Sequence, residues 1–282
     1  DVYGFSLQLG HFTFAALVGA TAALTAAGYV INDYFDHKTD MVNRPQRVVV
    51  GVQTSRREAM AWHLALNAVG VVLGFYVAWK ISLWQIGFIF PLVAGLLWYY
   101  STTYKKVLLL GNLIVSFLVG LVPMMVVLFE IPVLNRVYYS ALLQLNTSLS
   151  HLFFWVGGFG FFAFLTTLVR EIIKDAEDFE GDEAYGRNTL PVAAGMQTTK
   201  GVIAALLVLG LAALGWVHIS VLPDALTRWY FLLVLALPMV YVLYKSLRAQ
   251  NRTDFQHASI AMKFLMLGGI AYAPLLKFIL AP

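Results

Sequence analysis

Long apolar stretches alternate with short polar segments along almost the whole chain. A helix needs about 20 consecutive apolar residues to cross the ~30 Å hydrocarbon core of a bilayer. The breaks between the stretches carry proline, glycine or charge, as at Asn43-Arg44-Pro45 and Leu222-Pro223-Asp224. This pattern predicts an all-α, polytopic membrane helical bundle with no soluble domain between the spans. Eight transmembrane helices are predicted, at residues 11–34, 58–80, 83–100, 111–129, 149–173, 201–220, 228–247 and 257–280.

The composition also favours a membrane protein over a soluble one. The 282 residues are 60% hydrophobic and 12% charged, with a mean hydropathy of +0.75, whereas soluble domains average roughly 45–50% apolar and about 25% charged residues. The absence of cysteine excludes disulfides, thiol catalysis and zinc–thiolate sites. No basic run is long enough to follow a nucleic-acid backbone, so nucleic acid is not an expected partner. No obligate protein partner is evident, and membrane lipids are the expected surroundings.

Lysine and arginine residues are concentrated in alternate loops. Since basic loops stay in the cytoplasm, this bias predicts an integral protein of the cell (inner) membrane with these loops on the cytoplasmic side. The same orientation places residue 1 outside, which leads us to expect a ninth, N-terminal helix that is missing from this chain. The loop after the first span holds Lys38, Arg44, Arg47, Arg56 and Arg57.

The scarce acidic residues form two groups with identical spacing. Asp33-x-x-Asp36-x-x-x-Asp40 and Asp175-x-x-Asp178-x-x-x-Asp182 each follow a long apolar stretch. Four predicted spans separate the groups, so both host helices should run the same way through the membrane, with both groups at the cytoplasmic face. We therefore predict a single domain, 1–282, built as a parallel internal repeat with halves at about 11–129 and 149–280.

At helical spacing Asn32, Asp33, Asp36 and Asp40 share one face. In the second group, Asp175, Asp178 and Asp182 are separated by three and four residues, with Glu171 one turn earlier. Like charges on one helix face are unfavourable unless cations neutralise them. Carboxylate and amide oxygens suit Mg²⁺, which usually binds through one or two carboxylates plus substrate phosphates. Two such clusters facing each other are expected to hold a diphosphate between metal ions. A solvated acidic loop and a calcium site are the alternatives, but no EF-hand loop is present.

Basic residues accompany both groups. Arg170 and Lys174 lie four apart beside Asp175, Arg47 follows the first group, and Lys105 comes at the end of the third span. Arginine and lysine are the usual protein partners of phosphate oxygens. We interpret Arg47, Lys105 and Lys174 as phosphate ligands. Anchoring at the membrane surface is favoured for Arg56, Arg57, Arg248 and Arg252.

These motifs resemble those of a known family. Asn32-Asp33-x-x-Asp36-x-x-x-Asp40 with Asn43-Arg44-Pro45-x-Arg47 is similar to the first signature of the UbiA superfamily of intramembrane prenyltransferases, and Asp175-x-x-Asp178-x-x-x-Asp182 to the second. Tyr100-Ser101-x-x-x-Lys105-Lys106 and Gly111-Asn112 resemble the segment after the family's fourth helix. The resemblance covers nearly the whole chain. Members of the family have nine helices, in agreement with the topology argument.

Within the superfamily, the run from Arg170 to Asp182, followed by Thr189-Leu190-Pro191-Val192, looks most like digeranylgeranylglyceryl phosphate synthases. This implies transfer of a geranylgeranyl group from its diphosphate to the hydroxyl of geranylgeranylglyceryl phosphate, a step of ether-lipid biosynthesis. The implied partners are a prenyl diphosphate and a lipid-like acceptor.

The resemblance also implies roles for individual residues. The six aspartates are expected to be catalytic, and either Asp33 or Asp40 takes the proton of the acceptor. Asn32 and four basic residues would bind the diphosphate; the four are Arg47, Lys105, Arg170 and Lys174. Two Mg²⁺ ions would be held by Asn32, Asp36, Asp40, Asp175, Asp178 and Asp182.

Two other functions remain open from the sequence. One keeps the prenyltransferase reaction but uses an aromatic acceptor of the quinone, haem or chlorophyll type. The other is a cation-coupled transporter with paired repeats. Transporter sites usually lie near the bilayer midplane on interrupted helices, whereas these acids lie at helix ends beside basic loops, which favours chemistry on an anionic amphiphile.

Overall fold

The structure, a computed structural model, describes residues 5–280, apart from the side chains of Arg47 and Leu280. Within this range it is helical with no β-strand, and Val50 and Thr54 form an isolated bridge. The α-helices are α1 (His11–Asn43), α2 (Arg56–Lys80), α3 (Ile89–Thr102), α4 (Leu110–Val137), α5 (Tyr139–Gln144), α6 (Ser150–Glu177), α7 (Phe179–Ala184), α8 (Leu190–Ala194), α9 (Met196–Ser220), α10 (Ala225–Tyr230), α11 (Leu237–Arg248) and α12 (Arg252–Leu280).

Seven helical segments in the described range are long and apolar enough to cross a membrane. They overlap seven of the eight predicted spans, and the chain is an integral membrane protein. The segments are His11–Asn43, Arg56–Lys80, Leu110–Val137, Ser150–Glu177, Met196–Ser220, Ala225–Arg248 and Arg252–Ile279.

The predicted span 83–100 has a different form. It divides into a 3₁₀ turn, Trp84–Phe88, and helix α3, whose 14 residues extend only about 21 Å. Pro91 lies in the first turn of α3, where its missing N–H leaves no hydrogen bond unmade, so the new helix can begin there. The eighth span and the internal repeat stay predictions.

The chain packs as two compact units. The first contains the residues up to Lys105 together with Gly120–Gly160, and the second contains Lys106–Val119 together with the residues from Phe161 onward. The chain passes between the units within α4 and within α6. Since these boundaries differ from those of the predicted repeat halves, the halves also stay a prediction.

Packing in the first unit centres on α1 and α2, with α3 and the second half of α4 around them. The close approach of α2 and α3 depends on a glycine. A Cβ at Gly74 would lie 2.1 Å from Cδ2 of Phe90, so only a residue without a side chain leaves room for the ring. The buried centre of the first unit includes Leu17, Leu24, Val77, Phe90 and Phe129.

The residues just before α1 are fixed to α4 by a buried acid. The carboxylate of Glu130 accepts hydrogen bonds from the backbone N–H groups of Gln8 and Leu9, at 3.0 Å for Leu9. The ring of Phe5 stacks on Tyr138, with 4.3 Å between the centroids. Because a buried carboxylate is costly unless it is hydrogen-bonded, Glu130 and this segment stabilise each other.

In the second unit, α9, α11 and α12 pack together. A π-helical segment, Phe231–Ala236, joins α10 to α11. Before it, the hydroxyl of Tyr230 donates a hydrogen bond of 2.7 Å to the carbonyl of Gly268 in α12. After it, Met239 packs on α9 where a Cβ at Gly210 would lie 2.5 Å from the methionine Cε. The segment thus lies between two close contacts with neighbouring helices.

Candidate functional site

The first acidic cluster, Asn32, Asp33, Asp36 and Asp40, occupies the last turns of α1, which ends at Asn43. The four members of the cluster differ in their exposure to solvent. Asp36 is 8% exposed, Asn32 and Asp40 are half-buried, and Asp33 is exposed. At helical spacing the four side chains share one face of the helix, with Asp33 at its solvent-exposed edge.

Lys105 lies against this face. It belongs to the one-turn 3₁₀ segment Tyr104–Lys106 that follows α3. Its Nζ is 2.7 Å from Oδ1 of Asp36 and 3.3 Å from Oδ1 of Asn32. The side chains of Lys105 and Asp36 are only 6% and 11% exposed. Removing one partner of such a buried ion pair typically costs about 3–5 kcal/mol, so Lys105 is a firmly held member of the cluster.

His37, next to Asp36 on α1, contacts the loop that follows the helix. The Nδ1 of His37 lies 2.8 Å from the carbonyl oxygen of Val50. Gly51 has φ +88°, and a Cβ there would lie 2.9 Å from the ring of His37. His37 thus supports the loop. Arg47 is in the 3₁₀ turn Pro45–Arg47, but its side chain is outside the described residues.

The second acidic cluster, Asp175, Asp178 and Asp182, lies where α6 passes into α7. Asp175 is in the last turn of α6, Asp178 is the residue before α7, and Asp182 is within α7. Asp178 has φ −98° and ψ 13°, which ends the regular helix. Helix-like hydrogen bonds nevertheless continue across it, from Asp178 N–H to the Lys174 carbonyl (2.9 Å) and from Asp182 N–H to the Asp178 carbonyl (3.1 Å). The two clusters share a spacing but differ in backbone.

Each of the outer carboxylates in the second cluster has a close partner. The Nδ2 of Asn112 donates a 2.7 Å hydrogen bond to Oδ2 of Asp175. The backbone of Asn112 is held in turn, because the hydroxyl of Ser116 donates a 2.6 Å hydrogen bond to the Asn112 backbone carbonyl. Asp182 is 2% exposed and forms an ion pair with Arg187 at 3.4 Å. These contacts hold the two carboxylates in defined orientations.

Two further arginines lie at the second cluster. Arg252, at the start of α12, lies 4.0 Å from Oδ1 of Asp178 and is 42% exposed. Arg170 forms an ion pair with its neighbour Glu171. Lys174, one turn after Arg170, is half-buried. The second cluster therefore combines three carboxylates with an amide donor and several basic side chains.

The donor chemistry of both clusters fits a hard, oxygen-seeking cation such as Mg²⁺. Within residues 5–280, no three His, Cys, Asp or Glu side chains come close enough together to hold a metal ion by themselves. A metal here would take one or two carboxylates from the protein and complete its coordination with substrate oxygens and water, the usual arrangement for Mg²⁺ at phosphates.

Sequence reasoning predicts the aspartates and Lys105 but gives no role to three of their partners. Asn112 appears only within the Gly111-Asn112 resemblance, and nothing in the sequence pattern singles out Arg187. For Arg252 the sequence favours membrane anchoring. Arg187 follows Asp182 by five residues, a local signal that could have suggested the pair. The contacts of Asn112 with Asp175 and of Arg252 with Asp178 join residues 63 or more positions apart and require the packed structure.

Several relatives of the chain share one enzyme name. The chain is 39% identical to the digeranylgeranylglyceryl phosphate synthase of Methanothermobacter thermautotrophicus over 202 residues, 71% of this chain and 63% of that protein. It is 36% identical to the synthase of Methanopyrus kandleri over 253 residues, 88% of this chain and 82% of that protein. For the synthase of Thermococcus kodakarensis, the identity is 31% over 248 residues, 84% and 76% of the two chains.

Solved structures agree on the fold. A UbiA homologue from Aeropyrum pernix matches with a TM-score of 0.65 and 17% identity, over 94% of this chain and 91% of the other. A structure described as a digeranylgeranylglyceryl phosphate synthase in membranes matches with a TM-score of 0.59 and 23% identity, over 94% and 86% of the two chains. The sequence model of the UbiA prenyltransferase family matches residues 4–267. The resemblance seen in the acidic motifs is thereby confirmed, and the chain belongs to the UbiA prenyltransferase family.

Proposed function

We propose that this prenyltransferase transfers a geranylgeranyl group from its diphosphate to the free hydroxyl of geranylgeranylglyceryl phosphate, forming an ether lipid. The names of its relatives support this substrate pair. The observation that carries the proposal is the pairing of acids and bases at the ends of α1 and α6. In a chain that is 12% charged, these helix ends gather six aspartates with basic partners.

The two clusters would together supply oxygen ligands for two Mg²⁺ ions. In the first cluster the ligands are Asn32, Asp36 and Asp40. In the second they are Asp175, Asp178 and Asp182. When bound, the metal neutralises the charge that develops on the departing diphosphate. The remaining charge is met by the basic residues, which would bind diphosphate oxygens: Arg47, Lys105, Arg170 and Lys174.

In the reaction, the bond between C1 of the prenyl chain and the diphosphate oxygen breaks, and the diphosphate leaves with the bonding electrons. The acceptor hydroxyl oxygen then forms a bond to C1, and its proton passes to a carboxylate. Asp33 and Asp40 are the two candidates for this base. Asp33 is exposed and Asp40 is half-buried. Because Asp40 is also a proposed metal ligand, Asp33→Asn distinguishes the candidates: loss of turnover favours Asp33 as the base, and retained turnover favours Asp40.

The setting of the site follows from charge. The basic loops favour a cytoplasmic location for both acidic clusters in the cell membrane, with the prenyl tail in the lipid phase. The same topology includes the eighth span, formed by residues 83–100, and a parallel repeat that gives α1 and α6 the same direction.

Turnover by the purified chain in lipid nanodiscs tests the function. Asp36→Asn and Asp178→Asn should each abolish prenyl transfer. EDTA should also abolish it, and addition of excess Mg²⁺ should restore it. Glu183→Gln, which removes an exposed carboxylate next to the second cluster, should retain activity. Substantial transfer in metal-free buffer would refute the metal-dependent reaction.

The acceptor requires its own assay. Labelled geranylgeranyl diphosphate is incubated with geranylgeranylglyceryl phosphate and with aromatic acceptors in parallel. We expect product from the glycerophosphate alone. Preferential prenylation of an aromatic ring would leave the enzyme class intact and replace the proposed acceptor, and cation flux without prenyl substrate would favour the transporter.

A further inference from the structure

A cation already lies within the first acidic cluster. The ammonium of Lys105 is 2.7 Å from Oδ1 of Asp36 and 3.3 Å from Oδ1 of Asn32, two of the three residues proposed to bind metal. Both charged side chains are largely buried, at 6% and 11% exposure. A divalent ion bound by the same oxygens would lie within a few ångströms of the ammonium, so the two cations repel each other and compete for Asp36.

The second cluster is arranged differently. Asp175 is held by the neutral amide of Asn112. The arginines there are farther from the carboxylates, at 3.4 Å for Arg187 and 4.0 Å for Arg252. The contact of Lys105 with Asp36 is shorter than these two arginine contacts, and both of its side chains are buried.

We propose that the Lys105 ammonium is a resident counter-ion of the first acidic cluster, which a divalent cation replaces only when a diphosphate draws the ammonium away. This inference rests on the proposed function, which brings a divalent cation and a diphosphate to the cluster. A buried ammonium that lost Asp36 without a new partner would be strongly disfavoured. Diphosphate oxygens provide that partner, so the exchange keeps every buried charge paired.

The exchange couples the two ligands. Diphosphate should tighten metal binding at the first cluster, and metal should tighten diphosphate binding by the same factor, since binding linkage is reciprocal. Couplings between sites commonly amount to roughly 5- to 150-fold in affinity. Metal without diphosphate should bind this cluster weakly as long as Lys105 is present.

Mn²⁺ binding without diphosphate tests the competition. It is measured by electron paramagnetic resonance on the full chain in nanodiscs, in an Asp175→Asn/Asp178→Asn background that removes two of the three carboxylates of the second cluster. Lys105→Met should tighten Mn²⁺ binding by roughly 5- to 150-fold. Lys106→Met is the matched control, because it removes an exposed charge from the neighbouring position and should change binding little. Equal affinities in the two variants would overturn the proposal.

A second measurement approaches the pair from the acid and does not need the Lys105 variant to fold. Binding of inorganic pyrophosphate is measured in EDTA by calorimetry. Asp36→Asn releases Lys105 from its carboxylate and should tighten pyrophosphate binding. Asp33→Asn removes the same charge from an exposed position one turn away and leaves Asp36 in place, so it should have a smaller effect. The same gain in both variants would contradict the exchange.

Failure of this inference can be told apart from failure of the proposed function. If the wild-type chain transfers no prenyl group in the presence of Mg²⁺, the proposed function is refuted. If the wild-type chain is active but Mn²⁺ affinity does not respond to Lys105, the function stands and the exchange is refuted.

Discussion

The hydrogen bond between Asn112 and Asp175 makes the strongest test of the second cluster. Asn112→Ala removes the amide that donates to Oδ2 of Asp175 at 2.7 Å and leaves the carboxylate in place. A hydrogen bond to a charged group contributes about 1.5–3 kcal/mol. If the bond holds Asp175 in the orientation that the reaction needs, its loss should lower kcat/KM by roughly 10- to 150-fold, since 1.36 kcal/mol is a factor of ten.

The assay is prenyl transfer at saturating Mg²⁺, with thermal unfolding measured on the same samples. Asn188→Ala is the control. Its side chain is exposed, and its backbone N–H, which bonds the Lys106 carbonyl at 3.1 Å, is kept. An Asn112→Ala enzyme with wild-type kcat/KM, beside an inactive Asp175→Ala enzyme, would refute the positioning role. A loss of activity that merely follows a loss of folded protein would refute it as well.

Three further predictions concern stability, each read from the thermal unfolding midpoint in detergent. Glu130→Ala removes an acceptor of two backbone hydrogen bonds, each contributing about 1.5–3 kcal/mol, and should lower the midpoint; an unchanged midpoint would show that the N-terminal segment is not held there. Gly74→Val should destabilise through its clash with Phe90, and Phe90→Ala should partly restore the double variant, a rescue that a backbone effect alone would not give. Arg187→Met takes away the ion-pair partner of buried Asp182 and should destabilise by about 3–5 kcal/mol; no loss would mean that the pair is not needed.

Hydropathy predicts the membrane helices well because each span must satisfy its own backbone hydrogen bonds over a nearly fixed length. It does not show the local form of residues 83–100, where the apolar run is long enough but the chain turns at Trp84–Phe88 before the helix begins. Apolar composition does not reveal where a helix is interrupted. It also does not indicate that α1 continues beyond the predicted span to Asn43, carrying the first acidic cluster as helix.

The acidic clusters could be predicted from spacing, but their local structure could not. Identical spacing forms continuous helix around Asp36 and an interrupted helix around Asp178. The partners of the acids are also hidden from the sequence. Lys105 reaches Asp36 across 69 positions and Asn112 reaches Asp175 across 63, so these pairs depend on how helices and turns pack. Periodicity carries no information on such contacts.

The π-helical segment Phe231–Ala236 restricts how this part of the chain can change length in evolution. One extra residue within a helix turns everything after it by about 100°. Tyr230 before the segment and Met239 after it face their partners Gly268 and Gly210 only with that turn in place. Deletion of a single residue here would restore a regular α-helix and misalign one of the two contacts. Homologues that lack the residue should therefore carry compensating changes at Gly210 or Gly268.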